Sequence, residues 1–157
     1  MTMLIVAAAV FLSIHLLIAG TRLRDAVVGR IGERPYLGVF SLASVGGIVW
    51  LAIGYNAAAL QGSEVLWDFG PGVSHLGIIV VAVAILLGVP GLMTPNPASL
   101  GMESAAAREV TGVLRITRHP FLWSVALWAA FHVLANGDAA SVVFFGTFLV
   151  LAVAGTF

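Results

Sequence analysis

Cysteine and lysine are both missing from these 157 residues. Without cysteine the chain can form no disulfide, no Cys-ligated zinc site, no iron–sulfur cluster and no thiol nucleophile. Histidine is then the only soft nitrogen ligand on offer to a metal. Charge is scarce as well. Asp, Glu, Lys and Arg make up 9% of the chain, seven of each sign, so neither a nucleic-acid partner nor a polybasic lipid-binding surface is indicated. The familiar catalytic motifs are absent too: there is no P-loop, GxSxG, HExxH or dinucleotide fingerprint, and no carboxylate pair spaced for acid–base work.

What the chain has in excess is apolar side chains, 61% of residues against the ~45–50% of soluble domains. This composition marks an all-α integral membrane protein. Hydrophobic runs fall at about 2–20, 36–58, 75–96, 120–136 and 139–157, each within reach of the ~17–25 residues a spanning helix needs. The expected architecture is a polytopic bundle of five transmembrane helices forming one domain over residues 1–157. The first run lacks a basic leader and is followed by arginines rather than a cleavage site, so it reads as a retained helix and not a signal peptide. Only ANGDA separates the last two runs, which predicts a tight antiparallel hairpin. The fifth run reaches Phe157 without a polar cap, the expectation being a chain shortened within or just after that helix.

Arginine placement sets the expected orientation. Arg22, Arg24, Arg30 and Arg34 follow the first run and Arg108, Arg115 and Arg118 precede the fourth, while segments 59–74 and 134–140 hold none. Positive residues accumulate on the cytoplasmic side, which puts the N-terminus outside. Pro90, with Gly88 and Gly91, marks either a kink or the end of the third helix. Ala43 and Gly47 have the small-xxx-small spacing of closely packed helices. Glu64, Asp68, Glu103 and Glu109 read as loop acids, Asn136 and Asp138 as turn residues, and the loops 59–74 and 97–118 are long enough for short interfacial pieces.

An imidazole in a membrane span is a functional hypothesis by default, because hydrocarbon offers it no hydrogen-bonding partner. His75 falls at the outer mouth of the third helix, where water satisfies it. His119 stands between Arg118 and Pro120 at the inner mouth of the fourth, and His15 and His132 lie within spans. His119 and His132 are about 20 Å apart along one helix and on nearly opposite faces, so they cannot serve one centre. His132 shares a stripe with Trp128 and Ser124, which suits either a flat macrocycle or a neighbouring helix. His15 and His132 form the natural pair for bis-imidazole ligation of an iron porphyrin, although residue counting sets them at depths of roughly 9 and 18 Å. Interhelical hydrogen bonding is the competing reading for both. The Arg118–His119–Pro120 corner, with Arg115, suits an anion such as a haem propionate at a helix N-terminus, or else a charged collar that sets topology.

The runs SIHLLIAGTRLRDAVVGRIGERPYLGVFSLAS and TRHPFLWSVALWAAFHVLANGD resemble the NnrU family of bacterial inner-membrane proteins, over essentially the whole chain. The most specific elements are the RHP corner, the A-x-H-x-L-A-N-G-D helix end, and the IH of the first run followed by its arginine loop. The resemblance implies a multi-pass protein of the bacterial inner membrane linked to nitric oxide and nitrite metabolism in denitrification. It also implies kinship with plant zeta-carotene isomerase, whose haem b is held by two histidines matching His15 and His132, with His119 matched as well. That isomerase has a cysteine where this chain has Ala129, so no thiolate switch is expected. The RHP corner is similar to the isoprenylcysteine methyltransferases too, but FLWS follows it here and the acidic C-terminal motif is lacking.

Three functions follow as expectations. The first is a haem b protein with axial His15 and His132 and with Ser124, Trp128, Arg115, Arg118 and His119 lining the cofactor, in a redox, sensing or haem-handling role; a hydrophobic small molecule or nitric oxide is its expected partner besides the bilayer. The second is a haem-dependent isomerase of a carotenoid-like polyene. The third is a non-catalytic scaffold or assembly factor whose histidines bond between helices. No enzyme class is assigned, an isomerase being favoured over a methyltransferase.

Overall fold

The computed structural model describes residues 1–96 and 110–157. The expected loop residues Glu103, Arg108 and Glu109 lie outside them. Among the described residues the chain is all-helical, as expected, with six α-helices: α1 (Thr2–Ser13), α2 (Arg22–Ile31), α3 (Glu33–Leu60), α4 (Gly72–Met93), α5 (Pro120–Asn136) and α6 (Ala139–Ala154). A π-helical segment, Ile14–Ala19, prolongs α1, and a 3₁₀ turn, Gly112–Arg115, precedes α5.

Three of these helical stretches are long and apolar enough to cross a membrane: Thr2–Ala19, Glu33–Leu60 and His75–Met93. The apolar α5 and α6 are shorter, 17 and 16 residues, or about 25 Å against the ~30 Å hydrocarbon layer. Large apolar side chains face outward from the long helices, Leu42 at 75%, Ile78 at 72% and Leu86 at 71% exposure. A water-soluble helix hides such residues on one face; their exposure here is compatible with a lipid surrounding.

Packing divides the chain into two compact units, one of residues 1–67 with 137–147 and the other of 68–136 with 148–157. In the first unit α1 buries Leu4, Ala7, Ala8 and Phe11, the i, i+3, i+4, i+7 face of a helix. That face lies antiparallel on α3, where glycines admit it. A Cβ on Gly54 would stand 3.0 Å from the Leu4 backbone, and one on Gly47 would stand 2.7 Å from the Phe11 ring. Gly47 therefore serves helix packing, as its small-residue spacing suggested. Near the far end of α3, a short antiparallel bridge joins Val65 to Asp138. Leu66 and Trp67 N–H groups both donate to the Gly137 carbonyl, at 2.8 and 3.1 Å. Gly137 has φ +65° and no room for a side chain against Trp67, so this turn needs glycine on two counts.

Of the two residues expected at the turn, Asn136 is instead the last residue of α5, and Asp138 caps α6 by accepting the Ser141 N–H at 3.0 Å. Burial alone raises the Asp138 carboxyl, but hydrogen bonds from the Ser141 side chain and N–H, from Ser63 and from the Ala140 N–H outweigh it, leaving the pKa lowered.

In the second unit α5 runs antiparallel to α4, again over glycines. Phe131 sits on Gly77, Ser124 on Gly88, and Pro120 on Gly91. Pro90, ambiguous in the sequence, lies inside α4, which ends one turn later with the Thr94 N–H on the Pro90 carbonyl at 2.9 Å. His75 is exposed in the first turns of α4, which begins three residues before the expected run.

The arginine loop after the first run is itself a helix, α2. Thr21 explains why: its hydroxyl donates to the Leu17 carbonyl at 2.6 Å and accepts the Leu23 N–H at 3.2 Å, closing one helix and opening the next. Asp25 in the first turn and Arg30 in the last oppose the helix dipole as they should.

Candidate functional site

His15 begins where α1 changes from α to π geometry. Its carbonyl accepts the Gly20 N–H, five residues on, at 3.1 Å, and a Cβ on Gly20 would press on the Leu16 carbonyl at 2.9 Å. Single π turns inside helices concentrate at functional positions because they displace one side chain from the regular helical register. The His15 ring is half-buried. Its Nδ1 lies 2.8 Å from the Phe11 carbonyl and its Nε2 lies 3.3 Å from the Ser44 hydroxyl on α3. A carbonyl oxygen only accepts, so Nδ1 carries the proton and Nε2 the lone pair. Ser44 directs its own proton to the Phe40 carbonyl at 2.8 Å, which makes its approach to Nε2 the weaker of its two contacts.

Aromatic rings complete these surroundings. Phe11 is tilted against His15 with centroids 4.3 Å apart, and Phe40 meets it edge-on at 5.1 Å. Tyr36, one turn before Phe40, stacks on it at 5.9 Å. The Arg24 guanidinium stands 5.8 Å over the Tyr36 ring and reaches Asp25 at 3.7 Å and Glu33 at 3.6 Å.

His132, in the other unit, repeats the local arrangement on a regular α-helix. Its Nδ1 lies 2.7 Å from the Trp128 carbonyl, four residues back, which again assigns the lone pair to Nε2. The Trp128 ring is tilted against it at 5.0 Å, Phe131 stands perpendicular at 6.3 Å, and Trp128 meets Phe148 edge-on at 5.9 Å. Of the expected stripe, Trp128 thus touches His132, whereas Ser124 is spent against Gly88.

The Arg118 corner is built from backbone contacts. The Arg118 carbonyl accepts from Asn96 Nδ2 at 2.8 Å, the His119 N–H donates to the Thr117 hydroxyl at 3.2 Å, and Pro120 is fully buried as the first residue of α5. Arg115 and Arg118 are exposed and His119 is half-buried.

A family model described as NnrU protein matches residues 3–157. The chain belongs to the NnrU family. Among curated proteins and among solved structures no match to it was found, so site residues within this NnrU protein rest on its own geometry. Among the described residues no three His, Asp or Glu side chains gather to hold a bare metal ion. A porphyrin brings four nitrogens of its own and asks the protein for two. Two imidazoles, each with Nδ1 held by a carbonyl and Nε2 as the basic nitrogen, have the chemistry that such a group requires.

Sequence reasoning selected His15 and His132 but missed three features: the π turn, the Ser44 contact, and the Tyr36–Phe40–Ser44 stripe. The last was visible in principle, because YLGVFSLAS places Tyr36, Phe40 and Ser44 at intervals of four residues.

Proposed function

We propose that this NnrU protein is a haem b-binding integral membrane protein whose His15 and His132 supply the two axial nitrogens. The observation that carries the reading is the shared setting of the two imidazoles: each gives its Nδ1 proton to the carbonyl four residues earlier, at 2.8 and 2.7 Å, and each lies against an aromatic ring of that same residue. Such a bond fixes the tautomer, restrains ring rotation and raises the basicity of Nε2, which is what outer partners do for metal-bound histidines. Phe11, Phe40, Trp128 and Phe131 surround the two ligands with apolar faces that favour a macrocycle and keep water away. Bound haem b supplies one-electron redox chemistry.

The proposed topology has five spans, with α5 and α6 as the short ones and the N-terminus outside, in the bacterial inner membrane. The arginine distribution and family membership support it. The proposed role is redox, sensing or haem handling in nitrogen-oxide metabolism, with nitric oxide or a small hydrophobic molecule as the partner. Haem content measured as the pyridine haemochrome tests the ligand assignment. Wild-type protein expressed with ample haem should carry about one haem per chain, and His15→Ala and His132→Ala should each lose most of it. A haem-free wild type overturns the proposal.

One observation favours a second reading for His15. The Ser44 hydroxyl at 3.3 Å from Nε2 is what a histidine that merely ties α1 to α3 would have. Glutamine at position 15 preserves such a tie and cannot ligate iron, so a His15→Gln protein with full haem content supports the structural reading.

A further inference from the structure

Tyr36 is 4% exposed, and its hydroxyl is fully buried with no hydrogen-bond partner among the described residues. A phenol in that position forfeits a bond that nearly every buried hydroxyl makes. It is a donor waiting for an acceptor, and its neighbours say what kind. The Arg24 guanidinium stands 5.8 Å over the Tyr36 ring, where it also pairs with Asp25 and Glu33. Tyr36 also occupies the first turn of α3, whose N-terminus has no side-chain cap and begins at Glu33 after a Gly32 with φ +84°. Uncapped N–H groups, the positive end of a helix dipole and a buried O–H together favour an anionic oxygen.

The same face of α3 leads from Tyr36 to the candidate iron ligand. Tyr36, Phe40 and Ser44 follow at intervals of four residues, Tyr36 stacks on Phe40, Phe40 meets the His15 ring, and Ser44 reaches its Nε2. We propose that the Tyr36 hydroxyl is the donor for a propionate carboxylate of the haem held by His15, with the Arg24 guanidinium, shared with Asp25 and Glu33, beside it. This rests on the haem reading above and replaces, for that carboxylate, the Arg115–Arg118–His119 corner suggested by the sequence. Tyr36 is a binding residue here; the ligation itself belongs to the histidines.

The test is a two-by-two comparison on the full-length protein in detergent. Wild type and Tyr36→Phe are loaded with haem b or with its dimethyl ester, which lacks the carboxylates, and haem loss to an excess of apo-globin is timed. A hydrogen bond to a charged group sets the scale, so wild type should release the ester about tenfold faster than haem b. In Tyr36→Phe the two should leave at similar rates, both near that of the ester in wild type, with the Soret band retained. Equal rates for both ligands in wild type overturn the proposal and leave the haem reading standing. So does a Tyr36→Phe protein that still discriminates, which would place the carboxylate elsewhere, the Arg118 corner first. A wild type that takes up neither ligand overturns the haem reading and this inference with it. Should Tyr36→Phe fail to fold, the wild-type arm together with Arg24→Gln carries the comparison, the same loss of discrimination being expected.

Discussion

His15 and His132 sit in different units of the chain and differ in how the backbone presents them. His132 rides on a regular helix, and its setting comes from its own element: Trp128 one turn back gives both the carbonyl that orients the ring and the indole that flanks it. His15 stands at the start of a π segment and draws part of its setting from a second helix, through Phe40 and Ser44 of α3. One imidazole is fixed by local sequence and the other by packing. Disturbing the packing of α1 on α3 should therefore disable His15 without touching the orientation of His132.

Glycine substitutions break that comparison most forcefully. Gly47→Val drives a side chain into Phe11, the residue whose carbonyl and ring both hold His15. Overpacking of this kind costs about 1–3 kcal/mol, so the detergent melting temperature should fall by roughly 4–8 °C with haem content falling in parallel. Gly46, its neighbour, has nothing within 4 Å, and Gly46→Ala should leave both unchanged or raise the melting temperature. Equal losses at the two positions would show that the α1–α3 contact does not organise the His15 setting.

Removing the flanking rings comes next. Trp128→Ala leaves the backbone carbonyl in place, so His132 keeps its tautomer and loses only its aromatic neighbour, worth about 0.5–1.5 kcal/mol beyond area burial. The Soret position should persist while haem dissociates faster, by about tenfold or less. Phe11→Ala should do more damage than this, because Phe11 also seals α1 against Gly47. An equal or smaller effect at Phe11 would contradict the asymmetry.

Acid should act at a third place, the turn before α6. Asp138 has a folded pKa below its unfolded one, so its stabilisation is complete above the ordinary aspartate pKa and is lost as pH falls through the lowered folded value. Asp138→Asn removes that dependence and, because asparagine caps a helix about as well as aspartate, should change stability at neutral pH by less than about 1 kcal/mol. Melting followed between pH 7 and pH 3 checks this; an acid limb equally steep in Asp138→Asn protein would assign the titration elsewhere.

The mildest change should be Ser44→Ala. With the serine proton already on Phe40, the contact to Nε2 is long and its loss should shift stability by less than about 1 kcal/mol while haem content stays the same or rises. A large loss of haem in Ser44→Ala would sharpen the account in the other direction, making Ser44 essential to the ring's pose.

The class of fold was legible because apolar runs of spanning length leave few alternatives, and α5 was placed residue for residue by Pro120 at its start and the NGD turn at its end. Within the spans, legibility failed for a physical reason. When nearly every position is apolar, the hydrophobic period that reveals a buried face in a soluble helix is silent, so the side of α3 that meets His15 had no hydropathy signal. Only polar or small residues punctuate such a helix, and Gly47 and Ser44 did mark that side. The arginine segment reads as a loop because its charge suggests a boundary, while the Thr21 cap and the Asp25–Arg30 ordering are the helix signals within it. The π turn had no sequence signature beyond Gly20 at its close.

The central claim is that both imidazoles bind one iron, and the low-temperature electron paramagnetic resonance spectrum of the ferric protein addresses it most directly. The account predicts a low-spin bis-imidazole signal in wild type that is replaced by a high-spin signal, or lost with the haem, in His15→Ala and in His132→Ala alike. A wild-type low-spin signal that survives unchanged in either single variant would contradict it.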